Sequence, residues 1–191
     1  RLSNGLRLFE NISKKNKELE NISDDHQHDV VLAGYDRTGY SIFKTLQRMK
    51  KDFVVVEYDP EIIKKLIDEN IPCVYGDIGD VEILEKLRLK NVKLVISTIP
   101  HQSDTILLIK KVKEKNPHAH LIVTSDSASS ALELYDLGAD YVIVPHYLGG
   151  DHVALILEEV TDDLDKLIDT KIAHIKDLHA RRRHHKNKKR N

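Results

Sequence analysis

Six short runs of aliphatic and β-branched residues dominate the chain: DVVLA, DFVVVE, PCVY, KLVIST, HLIVTS and DYVIVP, beginning near residues 29, 52, 72, 93, 120 and 140. They are nearly continuous in apolar character, without the period-two alternation of a strand that faces water on one side. Strands of that kind are covered on both faces, and the stretches between them are long enough to be crossover helices. The pattern predicts a βαβ series, with parallel strands and helices on both sides of the sheet.

The intervening stretches carry helix signals of their own. Ile42, Phe43 and Leu46 form an apolar face after Gly39. Asp59-Pro60-Glu61 supplies an N-cap, a first-turn proline and an early acid before Ile62, Ile63, Leu66 and Ile67. Ile83, Leu84 and Leu87, then ILLIKKV at 106 to 112, then Ala131, Leu132 and Leu134 ending at Gly138, continue the series. The fold class that follows is α/β: a doubly wound, Rossmann-like six-stranded parallel sheet with helices on both faces, plus a C-terminal helical extension. In that extension Gly149-Gly150 leads into HVALILEEV, and Leu164, Leu167, Ile168, Ile172, Ile175 and Leu178 keep helical spacing; this seam packs either on the sheet or against another chain.

In such a sheet ligands lie beyond the carboxyl ends of the strands, where strand order reverses between the first and the fourth. VVLAGYDRTGY places Gly34 after the first strand and Gly39 at the start of the first helix. Gly34 permits a tight turn, Gly39 lets the helix press on the sheet, and the amides between them favour an anion. Glu57 ends the second strand, 18 residues beyond Gly39, where a carboxylate can accept from ribose hydroxyls. The middle position of the usual glycine triplet is Asp36. Its Cβ obstructs close backbone approach, and two like charges about 5 Å apart at an effective dielectric near 20 repel by about 3 kcal/mol. Arg37, adjacent, offsets part of that. A scaffold with an empty pocket is the bland alternative.

Composition narrows the function classes. A net charge of -1 argues against a chain that wraps nucleic acid. Cys73 is alone, so one chain builds no disulfide and no thiolate zinc site. No apolar run approaches the roughly 20 residues that span a bilayer, and no signal peptide opens the chain. The first residue is Arg1 and the sole methionine is Met49, inside the first helix, which suggests a domain excised from a longer protein. Seven of the last eleven residues, RRRHHKNKKRN, are basic, a block expected to be solvated and disordered, with anionic lipid as its next candidate contact.

DDHQH at 24 to 28 offers imidazoles and carboxylates; His26 and His28 share a face if extended and not if helical. With no third ligand fixed nearby, a solvated linker is the expectation and no metal site is assigned. Asp104 and Asp162-Asp163 are read as solvated helix positions. Neither a nucleophile elbow nor a GKS or GKT loop is present. An NAD-dependent oxidoreductase of the short Rossmann kind would need a substrate domain, for which the sequence after the sixth strand leaves little room, and a Tyr-x-x-x-Lys pair that the helix after strand four lacks.

Gly34-Tyr35-Asp36-Arg37-Thr38-Gly39, VVVEYDPE, VYGDIGDVEIL and GADYVIVPHYLGG resemble the RCK or KTN domain, the cytoplasmic regulator of potassium channels and transporters, over about residues 29 to 157. GYDRTGY, YVIVPHYLGGDHV and the helical tail are most similar to the C-terminal domain of Kef-type monovalent cation:proton antiporters. The resemblance implies an amphipathic linker from a preceding membrane domain (1–28), a nucleotide-binding domain (29–157), and a C-terminal helix with a basic tail (158–191). It implies no enzyme but a ligand-sensing regulatory domain at the cytoplasmic face of the membrane, part of an integral membrane protein and dimeric through the helices after strands four and five and the terminal helix. Alternatives within the family are a gating-ring domain of a K+ channel and a free-standing K+ uptake regulator. The implied ligand is an adenine nucleotide, NAD(H) or AMP. Carried over by position, Gly34 and Gly39 meet phosphate with the amides of Tyr35, Asp36, Arg37 and Thr38 between them, Glu57 meets ribose with Tyr58 next to it in the cofactor-binding set, Asp77 and Ile78 flank adenine, Ser97, Thr98 and Ile99 line the floor, and His101 stands at the rim. Two positions depart from the family pattern: Asp36 replaces the middle glycine, and Thr124-Ser125 stands where many relatives carry a phosphate-reaching arginine. Both lower anion affinity, and AMP with an exposed phosphate is therefore expected over NAD(H).

Overall fold

A computed structural model describes residues 20–23, 26–99, 101–160 and 165–187. The chain divides into two compact units, Arg1–Ile143 and Val144–Asn191. In the first unit the six expected strands all form: β1 (Val30–Ala33), β2 (Phe53–Glu57), β3 (Cys73–Tyr75), β4 (Leu94–Ser97), β5 (His120–Thr124) and β6 (Tyr141–Ile143). They make one sheet in the order β3-β2-β1-β4-β5-β6, and every pair is parallel. Order reverses between β1 and β4, which fixes the switch point.

The continuous apolar runs are explained by burial on both faces. Val31, Leu32 and Ala33 of β1, Val55 of β2, Val74 of β3, Val95 of β4 and Leu121 and Val123 of β5 are all fully enclosed. The helices that cover them are α1 (Arg37–Arg48), α2 (Pro60–Asp68), α3 (Val81–Lys86), α4 (Gln102–Lys115) and α5 (Ala128–Asp136), with a 3-10 turn at Leu89–Asn91. α2 starts as its sequence dictates: the Asp59 carboxylate accepts from the Glu61 amide at 3.0 Å and Pro60 fills the first turn. It buries Ile63 and Leu66 completely; truncating either to alanine is expected to cost about 2–5 kcal/mol. Phe43 of α1 stands edge-on to Tyr35 and to Phe53, with centroids 4.8 and 5.7 Å apart, and locks that helix to the sheet. α5 ends at Gly138, whose φ of +107° suits only glycine without strain. Leu132, expected on the inner face of α5, is instead 66% exposed, because Ala131 and Leu134 alone point to the sheet.

Residues 20–23 do not run free. Asn21 pairs antiparallel with Cys73 at the open edge of β3, through backbone bonds of 2.9 and 3.1 Å. Its side-chain amide also donates to the Ile71 carbonyl at 3.1 Å. Asp24, Asp25 and Asp162-Asp163 lie outside the described residues.

The second unit holds α6 (Pro145–Val160) and α7 (Asp165–Asn187). α6 begins at Pro145 and runs through Gly149-Gly150 rather than starting after them; proline's fixed φ makes it a favourable first helical residue. α7 carries Ile168, Ile172, Ile175 and Leu178 as an exposed apolar row. Leu164 lies outside the described residues. The basic block, expected to be disordered, continues the helix as far as Asn187. Arg and Lys are good helix formers, cations favour a helix C-terminus, and Arg181 donates to Asp177 one turn earlier at 2.6 Å. Residues 188–191 lie outside the described ones. Among the described residues no helix is long and apolar enough to cross a membrane.

Candidate functional site

The turn after β1 is built by close approach. Gly34 adopts φ +87°, and its amide donates to the Val56 carbonyl at 2.9 Å. A Cβ on Gly34 would lie 2.6 Å from Thr98 Oγ1, and one on Gly39 would lie 2.2 Å from the Gly34 carbonyl oxygen. Both glycines are thus demanded by sterics, and α1 sits directly on the turn. Asp36 is the N-cap position of α1, but its side chain does not cap the helix. The Asp36 carbonyl accepts from the amides of Gly39 at 2.7 Å and Tyr40 at 3.4 Å. First-turn amides lack intrahelical acceptors, so those of Arg37 and Thr38 stand at the helix mouth. Arg37 is held at φ +35°, a left-handed conformation unusual for a residue with a side chain.

Glu57 is buried, and its carboxylate is committed to the backbone. Oε2 accepts from the Tyr35 amide at 2.8 Å, while Oε1 accepts from the amides of Tyr58 at 2.9 Å and Asp59 at 3.0 Å. The acid at the end of β2 therefore shapes the glycine turn. Two carboxylate oxygens offer about four lone-pair positions; three are used, and Oε2 keeps one for a further donor.

The remaining expected residues fall on the same edge of the sheet, since β1 and β4 end in register at Ala33 and Ser97. Thr98 donates from its amide to the Ala33 carbonyl at 2.9 Å, and from its hydroxyl at 3.2 Å. Ile99 comes within 3.7 Å of the Gly34 Cβ position, and Ser97 is buried beneath. His101 is exposed at the N-cap of α4. Beyond β3, Gly76 ties to the edge through its amide, 3.0 Å from the Glu57 carbonyl. Asp77 is exposed, and its carboxylate accepts from the Gly79 amide at 2.8 Å. Tyr58 and Arg37 are exposed as well, with Thr38 half-buried. Two residues do not present side chains to the edge: Tyr35 and Ile78 are both enclosed in the core. Burial pushes the Tyr35 phenol far up, with the Glu69 and Tyr40 charges adding to it, so the ring stays neutral. At β5, Thr124 Oγ1 donates to the Ser97 carbonyl at 3.1 Å and Ser125 Oγ to the Ser127 carbonyl at 3.1 Å, both internal bonds. A cavity of about 380 Å³ between α3 and α4, lined in part by Leu84, Arg88, Lys90 and Lys111, lies apart from this edge and shares none of its residues.

At the opposite edge the histidines of DDHQH meet a third residue that the sequence does not connect to them. Asp52, just before β2, lies between His26 and His28, with their ring nitrogens 3.0 and 2.6 Å from its two oxygens. The signal was available in strand register: β1 and β2 pair with Val30 opposite Phe53, which brings the residues preceding each strand together.

Fold and edge geometry define the chain as a doubly wound α/β domain of Rossmann type, with most of the candidate residues at the carboxyl edge of the sheet around the β1/β4 switch point. A model of the TrkA-N domain matches residues 30–145, and the chain belongs to that family. The RCK/KTN resemblance is borne out. Potassium channel protein 1 of Methanocaldococcus jannaschii is 25% identical over 182 residues, covering 94% of this chain and 54% of its own length. The glutathione-regulated potassium-efflux system protein KefC of Escherichia coli is 26% identical over 134 residues, 70% of this chain and 22% of that protein. The chain thus spans about half, or less, of the relatives it matches. Among solved structures, the TrkA-N domain of inner membrane protein ybaL from Escherichia coli superposes with a TM-score of 0.66 at 22% identity, covering 70% of this chain and 98% of that one. The Kef C-terminal domain of Shewanella denitrificans in AMP-bound form does so at 0.57 and 14% identity, over 82% of this chain and 95% of the other. The GsuK channel bound to NAD gives 0.57 at 23%, over 66% of this chain and 23% of the channel. The chain is a regulatory-type TrkA-N domain related to those of potassium channels and Kef efflux systems.

Proposed function

We propose that this chain is a non-enzymatic ligand-sensing domain that binds an adenine nucleotide at the β1/β4 edge and regulates a monovalent cation:proton antiporter. The observation that carries the reading is the turn after β1: Gly39 stacked on the Gly34 carbonyl, with Glu57 holding the Tyr35 amide. That arrangement leaves helix-mouth amides for a phosphate and one free lone pair on Glu57 for a ribose hydroxyl. Similar domains have been solved with AMP and with NAD. AMP is preferred over NAD(H) here because Asp36 sets a carboxylate, or a divalent ion it recruits, where a pyrophosphate would lie. Arg37 is exposed beside it and suits a terminal phosphate open to solvent.

Regulation requires that the nucleotide bind one arrangement of a domain dimer more tightly than another. Exposed Leu107 on α4, Leu132 and Tyr135 on α5, and the apolar row of α7 supply surfaces for a second copy. On this reading a parent membrane domain precedes residues 1–28, and the chain works at the cytoplasmic face of the membrane with its basic end near anionic lipid. A potassium-channel parent is the second reading, favoured by a channel relative matching 94% of this chain. Calorimetric titration with AMP and with NAD tests the site: AMP binding tighter than NAD is expected, and heats and melting temperature unmoved by either nucleotide would leave only a scaffold.

A further inference from the structure

We propose that His26, His28 and Asp52 form a binding site for a divalent metal of the zinc class at the amino edge of the sheet, on the face opposite the nucleotide edge. One ligand atom from each of the three lies within 4.8 Å of the others. The two rings meet edge-to-face with centroids 4.6 Å apart, because residues 26–28 are non-helical and alternate residues share a side. Ligands bound at about 2.0–2.2 Å to tetrahedral zinc stand closer than that, and the gap closes by rotation of His26, whose side chain is 55% exposed. His28 is the buried ligand, with its side chain 10% exposed.

The hydrogen bonding of His28 is incomplete as it stands. One ring nitrogen faces Asp52, while Nε2 is buried without a partner. A cavity of about 30 Å³ lined by Ile22, Ser23, His26, Gln27, His28 and Val54, among others, adjoins it. That is room for a water. With a metal on the nitrogen now facing Asp52, Nε2–H donates to such a water, which is the outer-shell partner that metal-bound imidazoles usually have. Lys86 and Arg88 also line the cavity; Lys86 is neutralised by its ion pair with Glu20, and the Arg88 carbonyl accepts from Gln27 at 2.7 Å. Two imidazoles and one carboxylate, with a fourth position open to solvent, select zinc, cobalt or nickel over calcium or magnesium, which demand oxygen-rich cages. Binding displaces the protons now shared between the rings and Asp52.

The consequence is mechanical. His26 and His28 belong to the segment leading into β1, and Asp52 leads into β2, its carbonyl accepting from the Val30 amide at 3.1 Å, so a bound ion staples that segment to the domain. Asn21 on β3 and Gln27, whose Oε1 accepts from Asn91 at 2.9 Å, already tack it on either side. This inference stands independently of the nucleotide reading.

The test is a titration of the full chain with zinc chloride against a chromophoric chelator, in a background where His184 and His185 of the tail are replaced by alanine. One tight equivalent is expected, indifferent to excess magnesium or calcium. His26→Ala, at an exposed position where folding is preserved, and Asp52→Asn should each weaken it by more than the roughly 10- to 100-fold that loss of an outer-shell partner costs. Zinc should also slow amide exchange at residues 20–23 in the parent and leave His26→Ala unchanged. No tight equivalent, or one that survives both His26→Ala and His28→Ala, overturns the proposal.

Discussion

Removing the Asp36 charge is the sharpest perturbation of the nucleotide edge. Two unit charges about 5 Å apart repel by about 3 kcal/mol at an effective dielectric of 20, and by about 0.8 kcal/mol in bulk water. Asp36 is exposed, so screening places the penalty between these limits, at about 1–3 kcal/mol, or roughly 5- to 150-fold in a dissociation constant. Asp36→Asn keeps the volume and removes the charge; Asp36→Gly also removes the Cβ that obstructs backbone approach. NAD should tighten by that factor in Asp36→Asn and further in Asp36→Gly, while AMP, whose terminal phosphate faces solvent and Arg37, should change less. Calorimetry at low and high salt reads both constants, and the gain should shrink as salt rises because the interaction is exposed. If wild-type NAD binding depends on magnesium and the variants lose that dependence, the carboxylate works through a bridging ion. An NAD-to-AMP ratio identical in wild type and Asp36→Asn refutes the electrostatic reasoning.

Gly39→Ala puts a Cβ 2.2 Å from the Gly34 carbonyl oxygen; overpacking of that kind costs about 1–3 kcal/mol, and thermal denaturation should show a fall of about 2–12 °C. Glu57→Gln keeps the shape but gives up an acceptor for at least one of the three amides it now holds, so urea unfolding should show a loss of about 1–3 kcal/mol, with nucleotide binding lost alongside. At Asp140, burial alone would raise the carboxyl pKa, but the Leu121 amide, His120 and Lys113 outweigh it and hold it below the usual value. A lowered folded pKa gives stability that is present above the unfolded value of about 3.9 and lost as pH falls through the folded one. Asp140→Asn should therefore lower the melting temperature at pH 7, and the difference should vanish in acid. Burial pushes the Cys73 thiol up to about 11. A disulfide reagent at pH 8 should leave it untouched in the folded chain and modify it quickly in denaturant; fast reaction in the native state would contradict its enclosure in β3.

The sheet was legible because each strand is covered on both sides, so its apolar run needs no partner to be recognised. The glycine turn was equally legible, since Gly34 and Gly39 are required by local contacts. Side-chain direction was not. Tyr35 sits inside the phosphate-type loop by sequence, yet its ring turns inward against Phe43, because a residue in the turn beyond a buried strand can point to either face. Glu57 was read for a ribose, and its bonds to three backbone amides depend on a turn whose path the sequence does not state. At the other end, Pro145 and not Gly149-Gly150 sets the start of α6: glycine lowers helix stability by about 1 kcal/mol without forbidding it. The helix through the basic tail was missed for a related reason, since like charges on a helix repel only modestly when solvent screens them.

The two candidate sites are joined by β1. It is four residues long, about 13 Å at 3.3 Å per residue, and every one of its side chains is buried. His28 lies two residues before its first residue and Gly34 just after its last. Because the strand is packed on both faces and bonded to β2 and β4 along its length, it cannot stretch or tilt alone. A displacement at the glycine turn must either move the sheet or be absorbed by the loop. The same rigidity holds in reverse, so the segment before β1 can follow the domain as a body only if it is fastened there. Asn21, Gln27 and the His26–Asp52–His28 group are those fastenings. A chain with His26→Ala and Asn21→Ala together should keep its nucleotide affinity, which belongs to the far edge, while limited proteolysis ahead of β1 accelerates. Loss of both properties at once would show that the two edges are not separable and that the strand does not act as a rigid link.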